Sequence, residues 1–228
     1  MSSEDSKYAI HAAAREGRDP KLSKVRDDDG RLPVHWAASA NHPAIVLMLA
    51  QQEGFDPDAE DDSGWTPLMI AASVKDGDKT VELLLSRGAD VNQKTLHFVA
   101  SKNNLEVARK LLDSKPPAST RVRDKRGQYP LHRAAAVGSV PMVTLLLKNG
   151  SPLNATDITG YTALHHAVAE GHGWLTRRHV GDTAVALLKA GAEADKRDSD
   201  GYLALDLAPD KEVLKYIKRE AENEGIDL

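Results

Sequence analysis

The chain has no cysteine, so disulfides, thiolate catalysis and cysteine-based zinc or iron–sulfur sites are excluded. Aromatic residues are scarce, at 4% against 41% hydrophobic residues overall. Small and aliphatic side chains must therefore fill the core, as they do where many short helices stack closely. No apolar run approaches the roughly 18 residues needed to cross a bilayer. The opening MSSEDSKYAIHAAAREG is polar and acidic before its first apolar turn, unlike a secretory signal. Nor does one sign of charge dominate. With 30 basic and 34 acidic residues the net charge is −4, which gives the chain as a whole no electrostatic reason to bind nucleic acid or an anionic membrane. These absences lead us to expect a soluble intracellular protein.

What is present is a repeat. The stretch GQYPLHRAAAVGSVPMVTLLLKNGSPLNATD, from Gly127 to Asp157, reads as a turn, a short apolar helix, a tight Gly corner, a second apolar helix and a Gly-ended loop. The next stretch opens alike as GYTALHHAVAEG, and His132 and His165 are 33 residues apart. A period near 33 with a T-P-L-H-like opening is the signature of the ankyrin repeat, two helices plus a β-turn. The same phase falls on His11, His35, Met69, His97, His132, His165 and Asp206. The expected fold is an all-α ankyrin-repeat solenoid, one domain over 1–228 with about seven helix-turn-helix plus β-turn repeats and atypical terminal ones. The repeats run over about 7–26, 27–60, 61–94, 95–123, 124–156, 157–197 and 198–228.

Three units are irregular. The first lacks most of its second helix, since Asp19-Pro20 follows YAIHAAAREG at once. The fourth lacks its Gly-containing turn before Leu96. The sixth carries an insertion, Trp174 to Gly181, expected as a loop at the corner between its helices. The last unit ends in a charged helix suited to capping the stack, with residues after about Arg219 expected to fray. In the regular units Gly30 takes a turn position where positive φ is cheap, and Pro33 the first helical position, where a missing N–H costs nothing.

Five histidines (His11, His35, His97, His132, His165) sit at the repeat phase, where the ring is expected to bridge backbone groups of adjacent turns. His165, His166 and His172 raise a metal site, but adjacent helical residues point about 100° apart and helical ligand pairs are spaced i, i+4. Gly171-His172-Gly173 is no dinucleotide fingerprint, and neither G-x-x-x-x-G-K-[ST] nor G-x-S-x-G occurs. We expect no enzyme, no catalytic residues, no cofactor and no metal. An enzyme or metal protein using the His165–His179 region is the competing reading from another class.

The informative positions are the turn tips and inner-helix ends, which face the groove where ankyrin partners bind. They carry Asp28, Asp29, Arg31, Asp61, Asp62 and Trp65, then Lys102, then Lys125 and Arg126, then Tyr161 and Glu170. The groove is expected to be acidic towards its N-terminal end and basic in its middle. Trp36 and Trp65 lie among the acids as expected exposed anchors. Asp28 and Asp61 also fit the turn chemistry of any such tip, whereas Asp29, Asp62 and Trp65 are surplus to it. Reversing Asp61 and Asp62 is expected to weaken binding without touching the melt.

The combination DDSGWTPLMIAAS, LHFVASKN and YPLHRAAAVGS over seven units resembles the gankyrin family in its fungal form, across essentially the whole chain. The resemblance implies a non-enzymatic chaperone for assembly of the proteasome regulatory-particle base. Its concave face would bind the C-terminal domain of one proteasomal AAA ATPase subunit and hinder premature docking on the core particle. It implies that Asp61 and Asp62 meet basic residues of the ATPase and Lys102 acidic ones, with Trp36, Trp65 and Arg133 beside them. It also implies a cytoplasmic and nuclear protein, monomeric when free, with no nucleic-acid or membrane partner. The retinoblastoma-binding L-x-C-x-E motif of animal members has no counterpart here. A generic ankyrin adaptor for a signalling or transcription partner is the alternative.

Overall fold

The structure is a computed structural model and describes residues 12–14, 24–91, 94–169 and 177–228, with the backbone alone of 177–180. His11, Glu170 and His172, and most of the first repeat, lie outside the described residues. Those residues form α1 (Pro33–Ser39), α2 (Pro43–Ala50), α3 (Pro67–Ser73), α4 (Asp78–Ser86), α5 (Thr95–Ser101) and α6 (Leu105–Asp113). They continue with α7 (Pro130–Ala136), α8 (Val140–Lys148), α9 (Ala163–Ala169), α10 (Arg177–Lys189), a 3-10 turn (Ala204–Leu207) and α11 (Lys211–Asn223). Among the described residues, the isolated antiparallel bridge between Arg197 and Leu203 lies outside any named strand. No helix there is long and apolar enough to cross a membrane.

The helices start where the sequence punctuates them. Proline opens α1, α2, α3 and α7, using the ring's fixed φ and wasting no N–H. Thr66 Oγ1 accepts from the Met69 amide at 3.3 Å and Ser139 Oγ from the Met142 amide at 3.3 Å, capping α3 and α8. At α1, α7 and α9 the cap is the repeat-phase histidine. His35 Nδ1 accepts from the Leu32 amide at 3.0 Å, His132 Nδ1 from Tyr129 at 3.0 Å and His165 Nδ1 from Thr162 at 3.2 Å. Where Met69 takes that position, Thr66 does the capping instead. Thr66→Val is expected to lower the unfolding free energy by about 1 kcal/mol, read as a shift of the urea midpoint at constant slope.

The chain divides into two compact units, Met1–Thr95 with Asp113–Ala118, and Leu96–Leu112 with Ser119–Leu228. In the first, α1 packs on α2 and α3, and α4 closes on both of the latter. Val34, Ala37, Ala38, Val46, Leu49, Leu68, Ala71, Val81 and Leu84 are almost wholly buried there. In the second, α7 packs on α8 and α9, α10 on both of these, and α11 on α10. Leu131, Ala134, Met142, Val143, Leu146, Leu164, Leu187 and Ile217 form that core. The small inner-helix alanines let helices approach closely, which is how so few aromatics suffice.

Two expectations need correcting. The insertion in the sixth unit is not simply a corner loop: from Arg177 it is helical and lengthens α10 to 13 residues. The C-terminal helix does not fray at Arg219. It runs to Asn223 because Ala221 is fully buried, and Lys189 pairs with Glu224 at 2.8 Å.

Candidate partner-binding surface

Each tip is built on one aspartate three residues before a glycine. Oδ1 of Asp27 accepts from the Asp29 and Arg31 amides, that of Asp61 from Ser63 and Trp65, and that of Asp124 from Arg126 and Gln128. Asp157 does the same for Thr159 and Tyr161, and Asp198 for Asp200 and Tyr202, all ten bonds lying between 2.8 and 3.1 Å. The turn closes on a glycine with positive φ. At Gly160 (φ +81°) an added Cβ would fall 2.7 Å from the Ser199 amide nitrogen, so the next tip leaves no room for one.

At three of these tips the other carboxylate oxygen is taken by a side chain nine residues on, one position after the repeat-phase residue. Trp36 Nε1 donates to Asp27 Oδ2 at 2.7 Å, Arg133 to Asp124 Oδ2 at 2.6 Å, and His166 Nε2 lies 2.9 Å from Asp157 Oδ2. At the Asp61 tip Ile70 has nothing to donate, and Arg31 of the preceding tip takes Asp61 Oδ2 at 3.0 Å instead. Gln128 adds a bond to Asp157 Oδ2 at 3.0 Å. Burial alone would raise these carboxyls. At Asp61 the Trp65 amide, Arg31 and the Ser63 amide overcome burial, and at Asp124 Arg133 and the Gln128 and Arg126 amides do so. At Asp157, Gln128, Thr159 and His166 outweigh it, and all three carboxyls sit below the usual carboxylate range.

Backbone bonds tie consecutive tips within each unit: Asp62 N–H to Asp29 O at 3.0 Å in the first, Ile158 N–H to Arg126 O at 3.1 Å and Ser199 N–H to Thr159 O at 3.0 Å in the second. The histidines complete the frame. His35 Nε2 meets the Ala59 carbonyl at 2.9 Å, His97 that of Gln128 at 2.9 Å, His132 that of Ala155 at 3.1 Å and His165 that of Tyr202 at 3.3 Å. With Nδ1 of His35, His132 and His165 accepting an amide, those rings are neutral with the proton on Nε2. Burial pushes all four below the ordinary histidine value, His132 to about 4 with the neighbouring His166 adding to it.

This geometry sorts the expected site residues. Asp61 is not an exposed contact: its side chain is 1% exposed and holds its own tip together. Asp27, rather than Asp28, is the turn aspartate of the second repeat. Trp36 is no free anchor either, because its indole N–H is held by Asp27 and Arg31 lies over its ring at 5.2 Å. Arg133 is committed to Asp124. Tyr161 is half-buried against His165 and His166, with ring centroids 5.3 Å from each. Asp28, Asp29 and Asp62 are exposed in the first unit, with Trp65 half-buried beside them. Lys102, Lys125 and Arg126 are exposed in the second. The aspartate-to-donor pairs were missed, although a D-x-x-G followed at nine residues by Trp, Arg or His repeats visibly.

A stack of short helix pairs with hydrogen-bonded tips, and histidines locked to backbone, defines an ankyrin-repeat protein, a class that mediates protein–protein interaction. The ankyrin-repeat family model matches residues 2–95 and 96–198. The chain is 38% identical over 92% of its length to a budding-yeast protein described as the probable 26S proteasome regulatory subunit p28, 97% of which is covered. It is 36% identical over 92% of its length to the fission-yeast ankyrin repeat-containing protein C6C3.08, with 89% covered. Among solved structures it is similar to the ankyrin repeat domain of human ASB11, at TM-score 0.78 and 22% identity over 92% of this chain and 96% of that one. It is also similar to that of Bcl-3, at TM-score 0.68 and 23% identity over 94% of each. The chain belongs to the gankyrin family of ankyrin-repeat proteins.

Proposed function

We propose that the protein is a non-enzymatic chaperone of proteasome regulatory-particle base assembly. In this reading it binds the C-terminal domain of one proteasomal ATPase subunit through its tips and inner-helix ends, and sterically hinders premature docking on the core particle. The observation that carries the reading is near full-length likeness to a relative described as a proteasome regulatory subunit. The exposed acids Asp29 and Asp62 support it, because Asp27 and Asp61, and not these two residues, close the tip turns. Acidic tips accelerate encounter with a basic partner surface and make it salt-sensitive. Such a protein acts where proteasomes assemble, in cytoplasm and nucleus, as a monomer when free.

The test is co-purification with the isolated C-terminal domain of each regulatory-particle ATPase in turn. Asp29→Lys with Asp62→Lys should weaken capture of the cognate domain by about tenfold or more, mostly through slower association, and leave the thermal melt in place. Asp61 must stay out of that variant, since its loss would unfold the tip. Capture of no ATPase domain by the wild-type chain would overturn the reading and leave a generic ankyrin adaptor.

A further inference from the structure

The first unit carries a hollow that its helix pairs do not fill. It has a volume of about 210 Å³ and lies among the start of α1, the end of α2 and the loop that follows α2. Val34, Leu49 and Ala59 form its floor and are almost wholly buried. Leu32 and Phe55, both half-buried, stand beside them. The sequence gives the reason for a hollow here. In a solenoid each helix pair is covered by the pair before it. The first repeat passes from YAIHAAAREG straight to Asp19-Pro20, which leaves too few residues for a full second helix. An apolar cavity of about 150 Å³ is large enough to take up benzene, so this one has room for a small apolar body.

The rim of the hollow is cationic. Lys24 and Arg26, both exposed, line it from the segment that leads to the Asp27 tip. Lys24 Nζ lies 2.9 Å from where a Cβ on Gly54 would sit, so the ammonium reaches across to the loop after α2. Lys24 has no hydrogen bond or ion pair among the described residues. Arg26 donates from Nη1 to the carbonyls of Gly30 and Glu60, the latter at 2.8 Å. Those bonds fix the guanidinium in place, and because both acceptors are carbonyls they leave its charge uncompensated. Asp56, the acid of the lining, accepts the Asp58 amide at 2.9 Å, which ties it to its own turn.

We propose that this hollow is a binding site for a small molecule that joins one carboxylate to a compact apolar body, aromatic or branched. The body rests on Val34, Leu49 and Phe55, and the carboxylate accepts from Lys24 and Arg26 at the rim. An apolar floor with a few convergent polar groups is the common make-up of small-molecule sites, and bonds from cations to a carboxylate are among the strong ones. A simple anion leaves the floor in water, and an uncharged hydrocarbon leaves both cations uncompensated. The site does not use the tip acids Asp29 and Asp62, so the proposal is independent of the assembly reading.

The test titrates the isotope-labelled full chain with hydrocinnamate and follows the backbone amides by two-dimensional NMR. Acetate, which has no apolar body, and phenethylamine, which carries the opposite charge, are the comparison probes. Saturable shifts at Gly54, Phe55 and Ala59 are expected with hydrocinnamate, and no saturation with either comparison probe over the same range. Lys24→Glu should raise the dissociation constant about tenfold or more, since one charge-assisted bond is lost. Phe55→Ala should raise it about threefold or more by removing apolar wall. Lys24 is chosen over Arg26 because Arg26 holds two backbone carbonyls and its loss would disturb the fold. If Lys24→Glu lowers the melt, Lys24→Gln decides the matter with a smaller loss. No saturable shift, an equal response to phenethylamine, or an affinity indifferent to the Lys24 substitutions overturns the proposal. Capture of an ATPase domain by the same variants reports on the assembly reading alone, so the two can fail separately.

Discussion

Replacing Asp157 by alanine is expected to lower the unfolding free energy by about 3–5 kcal/mol, the range for removing one member of a buried, hydrogen-bonded ionic cluster. Five donors converge on this carboxylate: the amides of Thr159 and Tyr161, the Thr159 hydroxyl, the Gln128 side-chain amide and His166. Its side chain is 3% exposed, so water cannot take over those bonds unless the tip opens. Gln128, itself buried, would lose its anchor, and the ladder from Ile158 to Arg126 starts one residue away. Asp62→Ala is the control. It too removes a tip carboxylate, but an exposed one, and surface changes of that kind stay within about 0.5 kcal/mol. Urea unfolding of both variants checks the difference. If Asp157→Ala costs no more than Asp62→Ala, the tip aspartates are ornaments of the turn and the sorting of Asp61 away from the interface fails with them. Asp157→Asn should fall between the two, keeping an acceptor for both amides while setting its NH2 against Gln128 and His166.

What the sequence made legible was whatever a local rule controls. Proline at the first helical position, glycine three residues after the tip aspartate, and histidine at the repeat phase each act within a few residues, and in the regular units they recur at the repeat period. The tips were harder because their chemistry crosses nine residues and a change of chain direction. In DDDG the count back from Gly30 reaches Asp27, the same D-x-x-G register as Asp61–Gly64 and Asp124–Gly127, yet a run of three acids hides which one turns inward. Trp36 read as an anchor because a tryptophan beside charges is commonly one. Its indole N–H is instead the local equivalent of Arg133 and His166, a fact that only the folded tip displays. Hydropathy could not show that the insertion continues as helix from Arg177, since RRHVGD is polar throughout most of its length. The effect on the candidate surface is a cleaner division. Asp27, Asp61, Trp36 and Arg133 hold the tips, while Asp29, Asp62, Lys125 and Arg126 are what the tips display.

Stability is expected to fall steeply as pH drops from the ordinary histidine value of 6.5 towards 4, well before carboxylate protonation can account for it. His35, His97, His132 and His165 are all buried with lowered values, so the native state holds them neutral while the unfolded chain binds protons. For a group lowered in this way the stabilisation is complete above the unfolded value and is lost as pH falls through to the folded one. His132 alone, held at about 4, corresponds to about 3 kcal/mol over that window. Protonation there would also set a cation beside His166, whose ring centroid is 5.4 Å away. The carboxylates Asp61, Asp124 and Asp157 are displaced the other way, below their ordinary value, so their contribution persists across the same window and fails only at lower pH. The two sets of groups therefore separate on the pH axis. Thermal melts in overlapping buffers should give a midpoint that is flat above neutrality and declines below pH 6.5, with a slope at pH 5 of more than one proton taken up on unfolding. A midpoint that stays level down to pH 5 would mean the rings are already protonated in the fold, against the amide-to-Nδ1 bonds that cap α1, α7 and α9. His132→Gln sharpens the test. Its side-chain oxygen can still accept the Tyr129 amide and its NH2 can still reach the Ala155 carbonyl, so the cap survives while the titration goes. The variant should lose about one proton of that slope and melt closer to its neutral-pH midpoint at pH 5 than the parent chain does.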